Sequence, residues 1–142
     1  MFKKILVALD HSKADDALLP RVKELARLAQ ADVLLFHVSV GWVARWQQDL
    51  DLSDSAEIKE DREYLEQRGK ELREQGFRVS IRHGAGEPAD EILKAAREEN
   101  CDLIAMTTHG HRLLADLIHG TTIPKVRHAA DIPIFLVKAG RE

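Results

Sequence analysis

Four short runs of almost continuous apolar residues constrain the fold of this chain more than any other feature of its sequence. They are rich in Ile, Leu and Val, and they cover Ile5–Leu9, Val33–Val38, Leu103–Met106 and Ile132–Val137. Such runs are typical of strands that are covered on both faces, as in a parallel sheet. In Phe77–Ile81 apolar and polar side chains alternate, which predicts a fifth strand with one polar face.

The segments between these runs predict helices. Ser12 precedes Asp15 by three residues, a pattern similar to a capping box that marks the start of a first helix. A long charged helix is expected over Ser55–Gln75, and Pro88 is expected in the first turn of a third helix. A last short helix is expected to follow Gly120 and to end near residue 129.

Strands that alternate with helices predict an α/β fold: a single doubly wound open sheet of five parallel strands with helices on both faces. The length of 142 residues fits one domain, residues 1–142. The longest irregular segment is expected over Ser39–Asp54, which contains Trp42 and Trp46. Because long loops in compact domains tend to be functional, this segment is a candidate lid over a ligand or another subunit, or it packs on its own domain.

Composition excludes several classes of function. The net charge is −3 with acids and bases interspersed, so the basic stripe of a nucleic-acid-binding protein is not expected. No apolar run approaches the roughly 20 residues of a membrane-spanning helix, so membrane insertion is not expected. The single cysteine, Cys101, cannot form an internal disulfide and is expected to be a small buried apolar residue. These features predict a cytoplasmic protein.

Polar or glycine-containing segments follow three of the predicted strands, where ligands bind in open parallel sheets. They are Asp10–Ser12, Gly84–Gly86 and Thr107–Gly110. Gly120–Thr122 then opens a predicted helix, whose free N–H groups favour an anion such as phosphate. On spacing alone, the favoured interpretation is that Gly110 and Gly120 are ordinary turn glycines and Thr121 is an ordinary helix N-cap.

Other polar residues point to no further chemistry. Asp10 is either a carboxylate that orients a ligand or a plain loop carboxylate, and neighbouring Asp, His and Ser do not form a catalytic triad. Three histidines, His109, His111 and His119, surround the glycine segment. No zinc site is expected from them, because no further ligands complete the set.

Both ends of the chain resemble the universal stress protein family, through Lys3–Ser12 and Asp131–Val137, and the length and element order agree throughout. ATP-binding members carry a glycine, two residues, a glycine, nine residues, then a glycine and Ser or Thr. Here Thr107 stands at the first glycine position, followed by Gly110, Gly120 and Thr121. Thr107 is expected either to crowd the nucleotide or to add a contact.

The resemblance implies the strand order 3-2-1-4-5 and a nucleotide crevice between strands one and four. The expected ligand is ATP, with ADP and AMP as alternatives, together with Mg²⁺ held mainly by phosphate oxygens. The residues implied for the phosphates are Gly110, Gly120, Thr121 and Thr122, with His109 close by. The residues implied for adenine and ribose are Ala8, Leu9, Asp10, Val38 and Met106.

The function implied by this resemblance is that of a stress-response regulatory protein. It would bind an adenine nucleotide, dimerise through the edge strand Ile132–Val137, and act on a regulatory protein partner that the sequence does not identify. Without a Walker lysine or an evident base, any hydrolysis of ATP is expected to be slow. The alternative is a nucleotide-free dimeric interaction module of the same family. A nucleotide-using enzyme such as a ligase or phosphotransferase would need further residues, which the sequence does not show.

Overall fold

The computed structural model describes residues 1–40, 51–108 and 122–139. In this part of the chain the strands are β1 (Lys4–Ala8), β2 (Asp32–Val40), β3 (Val79–Gly86), β4 (Leu103–Thr107) and β5 (Ile134–Val137). The helices are α1 (Ala14–Ala29), α2 (Asp51–Glu74), α3 (Pro88–Glu98) and α4 (122–129).

The five strands form one parallel sheet in the order β3-β2-β1-β4-β5. This confirms the α/β fold and the strand order predicted from the sequence. Strand β5 lies at an edge of the sheet, and it begins at Ile134, two residues later than predicted. Pro133 has no N–H for a ladder, although its carbonyl still accepts a hydrogen bond from the Ile104 N–H at 3.1 Å.

The third strand extends further than predicted, and the expected loop Gly84–Gly86 is part of it. These residues pair with Val38, Ser39 and Val40 of β2. A Cβ at Gly84 would lie 2.9 Å from Cζ of Phe36, whose side chain is fully buried. Gly84 therefore lies inside the sheet against a neighbouring ring, and the prediction that Gly84–Gly86 follow the strand was wrong.

The expected irregular segment 39–54 is shorter than predicted. Ser39 and Val40 belong to β2, and α2 already begins at Asp51. The candidate lid residues Trp42 and Trp46 lie outside the described residues. No helix within the described ranges is long and apolar enough to span a bilayer.

Each face of the sheet carries its own apolar core. On one face β1 and β2 pack against α1 and α2, through residues that include Val7, Leu35, Leu18, Val22 and Leu65. On the other face the same strands pack with α3 and α4, through residues that include Leu6, Phe36, Ile92, Ile104 and Val126. Because side chains alternate along a strand, successive residues at the strand ends lie on different faces.

Candidate functional site

The carboxyl ends of the strands form the edge at which parallel sheets bind ligands. The direction of strand order reverses between β1 and β4, which are hydrogen-bonded neighbours. A crevice is expected at such a reversal. The predicted site residues in the described part of the chain follow the ends of these strands or lie in β2 and α4 beside them.

Three of the predicted adenine-binding residues lie together. Ala8, Val38 and Met106 all pack in the core on the α3/α4 face, and each comes from a different strand. Thr122 is buried at the start of α4, and Val126 of the same helix contacts this core. We call Ala8, Val38 and Met106 the apolar wall.

Leu9 and Thr107 lie apart from the apolar wall. Leu9 is buried in the core on the α1/α2 face, so its side chain points away from the wall. Thr107 ends β4 and is almost fully buried, and it follows Met106 onto the opposite face. The next hydroxyl, that of Thr108, is buried without a hydrogen-bond partner in the part of the chain that the structure describes.

Asp10 lies just beyond β1 and is 9% exposed. Its Oδ2 accepts a hydrogen bond of 2.5 Å from the Ser12 hydroxyl. That hydroxyl also accepts the Ala14 N–H at 3.2 Å, although the N-cap residue of α1 is Lys13 and not the predicted Ser12. Ser12 therefore connects Asp10 to the start of the helix.

Several predicted residues lie outside the described residues. They are the glycine-segment residues His109, Gly110, Gly120 and Thr121, together with His111 and His119. Their assignment to the phosphates stays a prediction.

On the α1/α2 face the structure brings together a polar group that the sequence analysis did not identify. His11 follows β1, His37 lies in β2, and Asp61 lies in α2. Nδ1 of His11 is 2.6 Å from Oδ1 of Asp61, and Nε2 of His37 is 3.4 Å from Oδ2 of the same carboxylate. We call these three residues the His–Asp cluster.

The sequence contained a signal for this cluster. Histidines occur near the ends of three neighbouring strands, at positions 11, 37 and 83, and parallel strands end at one edge. Asp61 stands four residues before Leu65 and eleven before Leu72 in α2, and both leucines are buried. The helical face that contains these two leucines also contains Asp61. This position distinguishes Asp61 from the exposed acidic residues of the same helix.

His37 and Asp61 each stabilise the charged form of the other. Burial alone would lower the pKa of His37, but the hydrogen bond and negative charge of Asp61 outweigh it and raise that pKa. Burial would raise the pKa of Asp61, but hydrogen bonds and positive charge from His37 and His11 hold it well below its usual range. Burial lowers the pKa of His83, which lies nearby.

A second buried carboxylate, Asp15, holds the turn that carries His11. Its two oxygens accept the N–H groups of Asp10 and His11 at 2.7 and 2.9 Å, and the Tyr64 hydroxyl donates to it at 2.6 Å. Burial raises the pKa of Asp15 despite these hydrogen bonds. Burial and the charge of Asp15 in turn raise the pKa of Tyr64.

Comparison with known proteins agrees with this architecture. Universal stress protein MJ0577 from Methanocaldococcus jannaschii is 27% identical over an alignment of 155 residues, gaps included. The alignment covers 97% of this chain and 96% of the relative. Universal stress protein YxiE from Bacillus subtilis is 28% identical over 148 residues, covering 97% of this chain and all of the relative.

Solved structures show the same fold. The structure of MJ0577 matches with a TM-score of 0.87 and 29% identity, covering 100% of this chain and 99% of the other. A universal stress protein from Archaeoglobus fulgidus, in complex with dAMP, matches with a TM-score of 0.70 and 22% identity, covering 96% and 98%. The model of the universal stress protein family matches residues 1–138. This chain therefore belongs to the universal stress protein family.

Proposed function

We propose that this protein is a cytoplasmic stress-response regulator that binds an adenine nucleotide, ATP in the first instance, in the crevice beside the apolar wall. The observation that carries the proposal is the convergence of Ala8, Val38 and Met106 from three strands at the strand-order reversal. Apolar side chains of this kind pack against the faces of a planar base, while nearby polar groups fix its orientation.

Other observations support the same ligand. Buried Asp10 lies two residues after Ala8 and provides a carboxylate suited to the hydroxyls of a ribose. The Thr108 hydroxyl, directly after β4 and two residues before Gly110, is buried without a hydrogen-bond partner among the described residues. The Archaeoglobus fulgidus relative with the same fold was solved with dAMP, which is an adenine nucleotide. Phosphates would lie on Gly110, Gly120, Thr121 and Thr122, with Mg²⁺ held by their oxygens and water.

The second candidate is a dimeric interaction module that binds no nucleotide. The residue at position 107 favours it, because ATP-binding members have glycine there and this chain has Thr107. The Thr107→Gly variant separates the two functions. Binding that appears only in this variant would support the second candidate, whereas equal binding by both proteins would show that Thr107 does not block the crevice.

The test of nucleotide binding is calorimetric titration of nucleotide-free protein with Mg·ATP, AMP and GTP. We expect adenine-selective binding in the micromolar range, and at least about tenfold weaker binding in Val38→Glu, which puts a charge on the apolar wall. The control is Leu28→Glu, the same kind of change on a residue that is 81% exposed in α1. Absence of binding by folded wild-type protein would overturn the proposal.

We further propose that two copies pair through β5, whose edge position exposes backbone groups to a second strand. Leu136 in this strand is 37% exposed, a large apolar side chain on the edge strand of the described sheet. Sedimentation analysis is expected to find a dimer for the wild-type protein and a monomer for Leu136→Lys, with Leu28→Lys as control. A wild-type monomer at high concentration would contradict the dimer.

A further inference from the structure

The His–Asp cluster joins three separate elements of the fold through potential metal ligands. Within the described residues, the ligand atoms of His11, His37 and Asp61 all lie within 4.8 Å of one another. We propose that these three residues form a binding site for a divalent transition-metal cation, with Zn²⁺ as the probe. The site lies on the α1/α2 face, so the proposal is independent of nucleotide binding beside the apolar wall.

The ring of His37 is oriented for ligation. Its Nδ1 lies 2.8 Å from the carbonyl oxygen of Leu9, and because a carbonyl only accepts, Nδ1 carries a proton. In the neutral ring Nε2 then has a lone pair directed at Asp61. A histidine whose other nitrogen donates to a backbone carbonyl is the usual arrangement around protein-bound zinc.

The carboxylate of Asp61 needs a hydrogen-bond donor or a cation on each of two sides. Its Oδ1 faces His11 and its Oδ2 faces His37, and the side chain is nearly fully buried. Neutral imidazole lone pairs and a carboxylate are all acceptors. Either a proton on each ring or a shared cation must therefore lie between them.

A hydrogen-bond chain through Ser39 and His83 holds the Asp61 carboxylate in place. Ser39 Oγ lies 3.2 Å from Asp61 Oδ2 and 2.8 Å from His83 Nε2. The Ser39 hydroxyl has one proton, so the chain is satisfied when His83 donates to Ser39 and Ser39 donates to Asp61. Supporting groups of this kind hold metal-binding carboxylates in place.

His11 is held in an uncommon backbone conformation. Its φ of 58° lies in the left-handed region, which is costly for a residue with a side chain unless the surroundings enforce it. The Asp15 carboxylate accepts its N–H at 2.9 Å, and its ring stacks on Tyr64 with 4.0 Å between centroids. Both contacts direct Nδ1 of His11 towards Asp61.

The distances suit a small cation after a limited adjustment. Ligand atoms about 2.0–2.1 Å from a tetrahedral zinc lie roughly 3.3 Å apart. The distance of 3.4 Å between His37 Nε2 and Asp61 Oδ2 already meets this value. The distance of 2.6 Å between His11 Nδ1 and Asp61 Oδ1 must increase. The His11 side chain is 23% exposed, so its ring has room to move and the site has a path for entry.

The ligand set selects the class of metal. Two imidazole nitrogens and one carboxylate oxygen suit Zn²⁺ and neighbouring transition metals, whereas Mg²⁺ and Ca²⁺ prefer sites made of oxygen alone. We therefore expect Zn²⁺ to bind and Mg²⁺ at similar concentration not to compete.

The experiment is calorimetric titration of Zn²⁺ into tag-free, nucleotide-free protein, followed by thermal unfolding with Zn²⁺ and with EDTA. We expect one Zn²⁺ per chain and a rise in Tm that EDTA reverses, because the ion joins β2, α2 and the turn after β1. His37→Gln and Asp61→Asn are expected to bind at least about 100-fold more weakly. The control His128→Gln, at an exposed histidine of α4, should bind as the wild type does.

A second measurement serves if the buried variants do not fold. In wild-type protein with ¹⁵N-labelled histidines, Zn²⁺ should shift the signals of His37 Nε2 and His11 Nδ1 and leave those of His128 in place. The proposal is overturned if the wild type binds no Zn²⁺, in which case protons alone bridge the cluster. It is equally overturned if Zn²⁺ binds but the His37 and His11 nitrogens do not shift, or if folded His37→Gln binds as tightly as the wild type.

Discussion

The last residues of β2 show two chemically different surfaces on one strand. Phe36 and Val38 face α3 and α4 in an apolar core, whereas His37 and Ser39 face α1 and α2 and contact Asp61. Nearer the amino end, Val33 and Leu35 make the second face apolar as well. Among the side chains of β2 named here, the polar ones therefore lie at the carboxyl end of one face, where the energetic cost of burying charge is offset by paired groups.

The difference teaches how each face should respond to mutation. The α3/α4 face is stabilised by burial of apolar area. The stability lost on mutation there should therefore depend on the volume of the side chain removed and little on pH. The α1/α2 face at the strand ends is stabilised by hydrogen bonds to buried carboxylates, so its losses should follow the removal of single polar atoms.

The largest effect is expected for Phe36→Ala. The ring is 1% exposed, and its removal leaves a cavity in the sheet, which should lower the free energy of unfolding by about 3–5 kcal/mol. Urea denaturation measures this loss. Phe77→Ala is the control, since Phe77 is only partly buried against the other core, and it should cost clearly less. Equal losses in the two variants would contradict the assigned packing of Phe36.

The next effect is expected on the polar face, for Tyr64→Phe. This change removes the hydroxyl that donates to Asp15 at 2.6 Å and keeps the ring that stacks on His11. Because the acceptor is a buried carboxylate, the free energy of unfolding should fall by about 1.5–3 kcal/mol. Urea denaturation again provides the measurement.

The control for Tyr64→Phe is Gln67→Ala in the same helix. Gln67 donates to Glu71 at 3.1 Å on the exposed face of α2, and its loss should cost less than about 0.5 kcal/mol. If the two variants lost the same stability, the polar network around Asp15 would not be a stabilising feature.

A third test introduces a single methyl group into the apolar face. Gly84→Ala places a Cβ 2.9 Å from Phe36 Cζ and 3.2 Å from its Cε1, so the ring or the strand must shift. The expected loss is about 1–3 kcal/mol. The double variant Gly84→Ala/Phe36→Leu removes the conflicting ring atoms, so its loss should be smaller than the sum of the two single losses. Strict additivity would contradict a direct contact.

Gly84 also marks where prediction from sequence reaches its limit. The strands at Ile5–Leu9, Val33–Val38 and Leu103–Met106 were predictable because continuous burial on both faces requires uninterrupted apolar side chains. The glycines of β3 carry the local signal of a turn, and only the approach of Phe36 across the sheet explains them. That approach depends on the register between β2 and β3, which local sequence does not determine.

The same limit applies to the candidate site. Ala8, Val38 and Met106 were predicted from the family resemblance, and the structure brings them together. Asp61 was not predicted, because α2 contains many acidic residues and only the packing of this helix on β2 buries one of them beside His37. The strand order likewise came from the resemblance, since apolar runs predict strands without determining which strands are neighbours.

The smallest effect is expected at the rim of the apolar face, where Glu87 caps α3. Its carboxylate accepts the Asp90 N–H at 2.8 Å and lies 3.3 Å from Lys125 Nζ. Burial would raise the pKa of Glu87, but these partners outweigh it and lower the pKa below its usual value. A lowered folded-state pKa means that the carboxylate contributes stability above its unfolded-state pKa of 4.5. This contribution is lost as pH falls through the folded-state value.

Glu87→Gln should therefore be less stable than the wild type at pH 7, by about 0.5–1 kcal/mol. The difference should shrink as the pH falls below 4.5, because the wild-type side chain is then also uncharged. Urea denaturation from pH 3 to pH 7 measures it, with Glu24→Gln in the exposed Arg21–Glu24 pair of α1 as control. If the difference in free energy of unfolding stayed constant over this range, the stabilising effect of the cap would depend on the shape of the side chain and not on its charge. The stability of the apolar face would then show no pH dependence, even at its rim.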